Sequence, residues 1–148
     1  MTKRTKCISL WQPYASFMAW GIKTYETRSW HPGNQLKPGE TLLIHAAKRK
    51  PQAYEKRLFQ SVLLKDVWKE HSIESLNDLP YGAIVCATRY IDAIPTNVLV
   101  HNIQGLERLL GNYQPDRFGW QLELLKVAET PLIAKGEQGI FWYEWNES

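Results

Sequence analysis

Two cysteines in 148 residues cannot build a disulfide framework or a C-x-x-C metal site, and the four histidines fall outside any H-x-x-x-H spacing. The spacing argues against a structural zinc, and no metal or cofactor is expected. Cys7 and Cys86 each lie in an apolar run, where a thiol behaves as a small buried hydrophobe. A reduced, cytoplasmic protein is therefore expected. No stretch approaches the roughly 20 apolar residues of a membrane span. The basic opening Met1–Lys6 is followed by too short an apolar stretch for a secretory signal. No G-x-G-x-x-G follows a strand pattern, which argues against a dinucleotide fold, and no G-x-x-x-x-G-K-[ST] marks a triphosphate loop. Repeats, low-complexity segments and linkers are missing as well, so residues 1–148 read as one domain.

One scarcity is local. Residues 1–50 hold nine Lys and Arg but only two acids, Glu26 and Glu40, a net of +7, whereas the remaining residues carry nine bases and thirteen acids, a net of −4. A lopsided charge of this kind concentrates phosphates near one face. Seven Trp is well above ordinary usage, and indoles serve either as core or as a stacking surface for bases. Basic charge and aromatic excess together point to an anionic, ring-bearing partner.

Coarse patterning gives short strands at Cys7–Leu10, Thr41–His45, Ala83–Ile94, Phe118–Glu129 and Gly139–Trp145, with Lys23–Trp30 extended. Helices are expected at Tyr14–Trp20, stopped by Gly21, over Pro51–His71 as the longest, and at Ile103–Leu110. The apolar stripe of the long helix, Tyr54, Leu58, Val62 with Phe59, Leu63, Val67, reads as core. Strands without regular βαβ alternation predict an α+β fold: a small mixed β-barrel or mixed sheet with two to four peripheral helices.

Four clusters could carry chemistry. Trp11-Gln12-Pro13 stands at a strand-to-helix junction, where free backbone N–H groups and a flat ring could hold a phosphate, or where Gln12 simply caps the helix and Trp11 anchors the core. Glu26, Arg28 and Trp30 share one face of an extended segment, with Lys23 at the preceding turn. Glu26 can accept from an exocyclic amino group, and Arg28 can bind a phosphate with two bonds. A surface salt bridge explains the Glu26/Arg28 pair equally well. His45 and Lys48 follow a buried strand. Near the C-terminus come Arg117 and Trp120, then Gln138 between Gly136 and Gly139, which would let backbone approach a ligand closely.

The segments ISLWQPYAS (8–16), GIKTYETRSW (21–30), LLIHAAK (42–48), GAIV (82–85), RFGW (117–120) and KGEQG (135–139) resemble, in order, the ASCH (activating signal cointegrator homology) domain. The resemblance covers nearly the whole chain. It implies a PUA-like barrel with helices around it and a cleft faced by Lys23, Glu26 and Arg28, where relatives hold RNA or a modified base. Some relatives are small hydrolases that deacetylate N4-acetylcytidine. That branch carries a Thr where this chain has Glu26, a Lys matching Lys23, and a Glu whose nearest match here is Arg89, so its nucleophile and one carboxylate are missing.

Two functions follow as expectations. The first is a binding module for RNA, DNA or a nucleotide-like small molecule, with Trp11, Gln12, Pro13, Arg28, Trp30, His45, Lys48, Arg117, Trp120 and Gln138 as ligand contacts. The second is a small metal-independent hydrolase acting on a modified cytidine or RNA, with Lys23 and Glu26 as the acid–base pair and His45 assisting.

Overall fold

The computed structural model describes residues 2–146. Strand β1 (Thr2–Leu10) is longer than its apolar half alone suggests, because the basic residues Lys3, Arg4 and Lys6 continue the ladder. It pairs in parallel with β3 (Thr41–Ala46) and antiparallel with β6 (Ile140–Asn146). β4 (Ala83–Pro95) and β5 (Phe118–Ile133) are the long central strands, and β2 (Tyr25–Arg28) adds to the start of β5. The order is β2-β5-β4-β3-β1-β6. Register shifts interrupt β3–β4 once and β4–β5 three times, and such bulges increase local twist and bend strands.

The fold is mixed α+β, as expected, but among the described residues the sheet is open, and no ladder between β2 and β6 closes the expected barrel. The four-residue β2 pairs only with β5, which leaves its other edge without a strand partner among the described residues. The sheet still curls strongly: Arg28 on edge strand β2 reaches the carbonyl of Ser9 on β1, four places away in the sheet order. Side chains span the gap that a barrel would close with a ladder.

Helix α1 (Tyr14–Ala19) lies across this curl and is buried almost all round. Met18 and Ala15 pack into the main core with Ile8, Leu10, Leu42, Ile44, Tyr90, Trp120 and Leu122. Phe17 faces the other way, into a second cluster with Leu58, Leu64, Trp68 and Leu110. A third cluster, Cys7, Leu43, Ile84, Ala134 and Phe141, forms around the β1–β6 side of the sheet. Most of the indole excess goes into packing. Trp68 and Trp120 are buried, and Trp20 and Trp30 pack against the cores.

The long helix expected over Pro51–His71 is a correction. It is broken into α2 (Ala53–Phe59) and α3 (Lys65–Glu70), with a 3-10 turn at Val62–Leu64 between them. Ser61 adopts an extended backbone, and its hydroxyl accepts from Leu63 N, so a local cap competes with helix continuation. The break rotates the stripe: Leu58, Leu64 and Trp68 go inside, while Tyr54, Val62 and Leu63 stay exposed. Two further short helices, α4 (Thr96–Leu99) and α5 (Gly105–Leu109), complete the periphery. No helix among the described residues is long and apolar enough to cross a membrane.

Candidate functional site

Gly21, at φ 76°, ends α1 in the left-handed region that glycine adopts freely, and Ile22 and Lys23 then donate their amides back to the Phe17 carbonyl. This turn drives the Lys23 side chain inward. Its Nζ is buried, donates to the Tyr25 carbonyl, and stands 3.7 Å from Glu26 Oε1. Burial holds the Lys23 ammonium below the ordinary lysine range, against the opposing pull of Glu26 and then Glu107. Glu26 Oε2 accepts from Arg28 Nε at 3.0 Å, and Arg28 Nη2 donates to the Ser9 carbonyl at 2.8 Å. Glu107 on α5 fixes the other side of the segment, accepting from Thr24 N (2.8 Å) and Thr24 Oγ1 (2.6 Å).

Lys23, Glu26 and Arg28 line a cleft of about 1670 Å³ that occupies the gap between the two ends of the curled sheet. Nine of the twelve residues expected from sequence line it: Trp11, Lys23, Glu26, Arg28, Trp30, His45, Lys48, Arg117 and Gln138. Six Lys and Arg (Lys23, Arg28, Lys48, Arg108, Arg117, Lys135) face three carboxylates (Glu26, Glu55, Glu137), so the walls are net positive. Three of those cations come from the acidic remainder of the chain. Several N-terminal bases lie elsewhere: Arg4 and Lys6 on β1 pair with Glu144 and Glu40.

Trp11 is the aromatic wall. It is 52% exposed, and the Arg49 guanidinium lies 3.6 Å from its ring centroid. Arg49 is itself held by Glu55 at 2.9 Å, so the indole is steadied from one side and open over half its area. Tyr54, also half exposed, stands on the same rim. Arg117 is positioned by donating to the carbonyls of Asn112 and Thr27, both at 3.2 Å.

Three expected contacts do not reach the cleft. Gln12 is fully buried, and its amide bridges Ser16 N (3.0 Å) and the Pro80 carbonyl (2.7 Å). It thereby takes a helix-start N–H of the kind expected to face a phosphate. Pro13 is buried beside it. Trp120 is 0% exposed and donates its indole N–H to the Trp30 carbonyl. Trp30 packs edge-on against Trp120 with ring centroids 4.9 Å apart, which turns it from a free stacking plane into a cleft wall. The close backbone approach expected at Gly136 is made to protein: an added Cβ would lie 2.6 Å from His45 Cε1 and 2.7 Å from Ser9 Oγ.

His45 is 1% exposed. Its Nε2 meets the Ala134 carbonyl at 2.7 Å and its Nδ1 the Ser9 hydroxyl at 2.8 Å. Ser9, Tyr54, Glu55 and Arg108 are cleft residues that the sequence reading missed. The signal for Ser9 lies in the parallel register that sets it beside His45, which spacing along the chain does not reveal. Arg89, the nearest match to the hydrolase branch's second carboxylate, is exposed and outside the cleft lining. Among the described residues no three His, Cys, Asp or Glu side chains group as metal ligands.

The profile of the ASCH domain family matches residues 8–126. Two solved structures of similar fold come from Zymomonas mobilis. One is a tyrosine-to-phenylalanine mutant of its ASCH protein (TM-score 0.57, 12% identity, 95% of this chain and 91% of that one). The other is the ASCH protein itself (TM-score 0.52, 14% identity, 94% and 87%). No curated protein matches the chain.

Proposed function

The chain belongs to the ASCH domain family, and from that premise we propose that it binds single-stranded nucleic acid, RNA foremost, in the cleft between the two ends of its curled sheet. The observation that carries this reading is the convergence of an exposed, steadied indole with cations that have no carboxylate partner. Trp11 offers a stacking plane, a contact that accepts any base. Lys48, Arg108, Arg117 and Lys135 line the same cleft, and none forms a salt bridge among the described residues. They take phosphates. Arg28 and Glu26, held by each other, present a donor and an acceptor for a base edge.

Size favours a strand over a single nucleotide. Pockets that enclose one small ligand run to roughly 300–1,000 Å³, and this cleft is about 1670 Å³. Two carboxylates of the lining are engaged internally, Glu26 with Lys23 and Arg28, and Glu55 with Arg49, so the phosphate path meets little repulsion.

The test is fluorescence anisotropy with short labelled single-stranded RNA, the DNA of the same sequence, and the RNA duplex. Binding of the single strands with the duplex weaker supports the proposal. A stronger duplex, or no anisotropy change at micromolar protein, refutes it.

A further inference from the structure

We propose that Ser9 and His45 form a nucleophile–base pair in the wall of the cleft, competent for acyl transfer from an ester. The parallel register of β1 and β3 places the two residues side by side. A carbonyl can only accept, so the 2.7 Å contact with the Ala134 carbonyl fixes the proton of neutral His45 on Nε2. Nδ1 is then left with its lone pair toward Ser9 Oγ, 2.8 Å away, and the hydroxyl donates to it. A nucleophile, a base within hydrogen-bond reach and a third group orienting that base make the arrangement that activates a serine. The pair is held rigidly: the backbone at Gly136 packs against both side chains, and His45 meets Phe141 edge-on.

Both residues line the cleft, but Ser9 is half-buried and His45 only 1% exposed, so reagent meets the serine before the imidazole. Arg28 donates through Nη2 to the Ser9 carbonyl at 2.8 Å, which fixes a guanidinium beside the nucleophile. Nη1 donates to no acceptor among the described residues and is available to an oxyanion or to an anionic group on the alcohol side of the ester. In the first step Ser9 Oγ attacks the carbonyl carbon while its proton passes to His45 Nδ1, and the Ala134 carbonyl stabilises the imidazolium. The ester C–O bond breaks, and the leaving alkoxide takes the proton from Nδ1. Water then attacks the Ser9 ester with His45 again accepting the proton, releasing a carboxylic acid and restoring the hydroxyl. This goes beyond binding and uses residues that a stacking cleft does not require.

The test is labelling of the full chain by a fluorophosphonate, read by intact mass and peptide mapping, together with p-nitrophenyl acetate turnover. One adduct is expected, on Ser9, with displacement of fluoride. Ser9→Ala abolishes it, and His45→Gln slows it about 100-fold or more, the scale of a lost general base. Because His45→Gln removes buried hydrogen bonds, Ser9→Cys provides a second reading: the thiol it introduces is expected to react with iodoacetamide faster than free glutathione, while buried Cys7 and Cys86 stay unmodified. No adduct on the folded wild type, an adduct that persists in Ser9→Ala, or an introduced thiol no faster than glutathione each overturns the proposal. All readouts are taken without nucleic acid. A protein that binds oligonucleotide yet takes no label therefore refutes this inference alone, and one that labels but does not bind refutes the binding reading alone.

Discussion

Two indoles provide a sharp test, because the sequence treats them alike and the structure does not. Trp11 is 52% exposed on the cleft rim, and Trp120 is 0% exposed beneath it. Replacing Trp11 by Ala removes one stacked base, worth roughly 1–3 kcal/mol, which is about a 5- to 150-fold rise in Kd. Its cost to folding should be smaller than that of a core indole: about half of the residue is already in water, and the Arg49 guanidinium contact is worth about 0.5–1 kcal/mol at an exposed site. For a chain of this size that is a fall of only a few degrees in Tm. Trp120→Phe should do the reverse. It leaves the Trp30 carbonyl without its 3.2 Å indole donor and opens space in a closed core, costing about 1–3 kcal/mol of stability. Binding by the folded fraction should stay within about threefold, under half of the 1.4 kcal/mol of a tenfold effect, because Trp120 is 0% exposed and does not line the cleft. Anisotropy titrations and thermal melts of both variants decide the matter. A Trp11→Ala protein that melts several degrees lower yet binds normally would refute the reasoning.

Three other outcomes follow from the same geometry. Gly136→Ala puts a methyl 2.6 Å from a buried imidazole and 2.7 Å from Ser9 Oγ, and should destabilise by about 1–3 kcal/mol in chemical denaturation; an unchanged midpoint would contradict the packing. Glu107→Ala removes the acceptor of two Thr24 donors, so amide exchange at Thr24 and Tyr25 should accelerate while that of the β3–β4 ladder does not, and uniform exchange across both would count against it. Burial pushes Cys7 and Cys86 up to about 12 from 9.0, so the unfolded chain releases protons first, and stability present below pH 9 should fall as pH rises from 9 toward 12. Each thiol contributes a slope of at most about 1.4 kcal/mol per pH unit. Half-buried Tyr14 and buried Tyr113, also raised, add to this, while Lys23, lowered by burial, opposes it. Urea midpoints across that range test the sign, and Cys7→Ala should flatten the decline; a midpoint that rises with pH would reverse the conclusion.

The strands were legible because apolar runs such as Thr41–Ala46 and Ala83–Pro95 announce themselves by composition, and Gly21 marks the end of α1 by its left-handed backbone. The helix break at Ser61 was not, because Leu58, Val62 and Leu63 satisfy helical spacing whether or not a capping hydroxyl interrupts them. Lys23, Glu26 and Arg28 were legible as a group since they are near neighbours along the chain. Gln12 and Trp120 misled for one reason: residue type and spacing suggest a polar or aromatic contact, but only packing shows that the contact is internal. Ser9 beside His45, and Arg28 reaching Ser9 across the curl of the sheet, depend on register and curvature, which a single sequence does not encode locally.

The most direct measurement is the salt dependence of single-stranded RNA binding. Lys48, Arg108, Arg117 and Lys135 line the cleft free of salt bridges among the described residues, so three or four phosphates are expected to be neutralised. For a single strand this predicts a slope of log K against log salt of about −2 to −3, or roughly 20- to 50-fold weaker binding between about 50 and 200 mM. Lys48→Ala should make the slope shallower by about 0.7. A slope near zero, or one that Lys48→Ala leaves untouched, would contradict a cationic cleft as the binding surface.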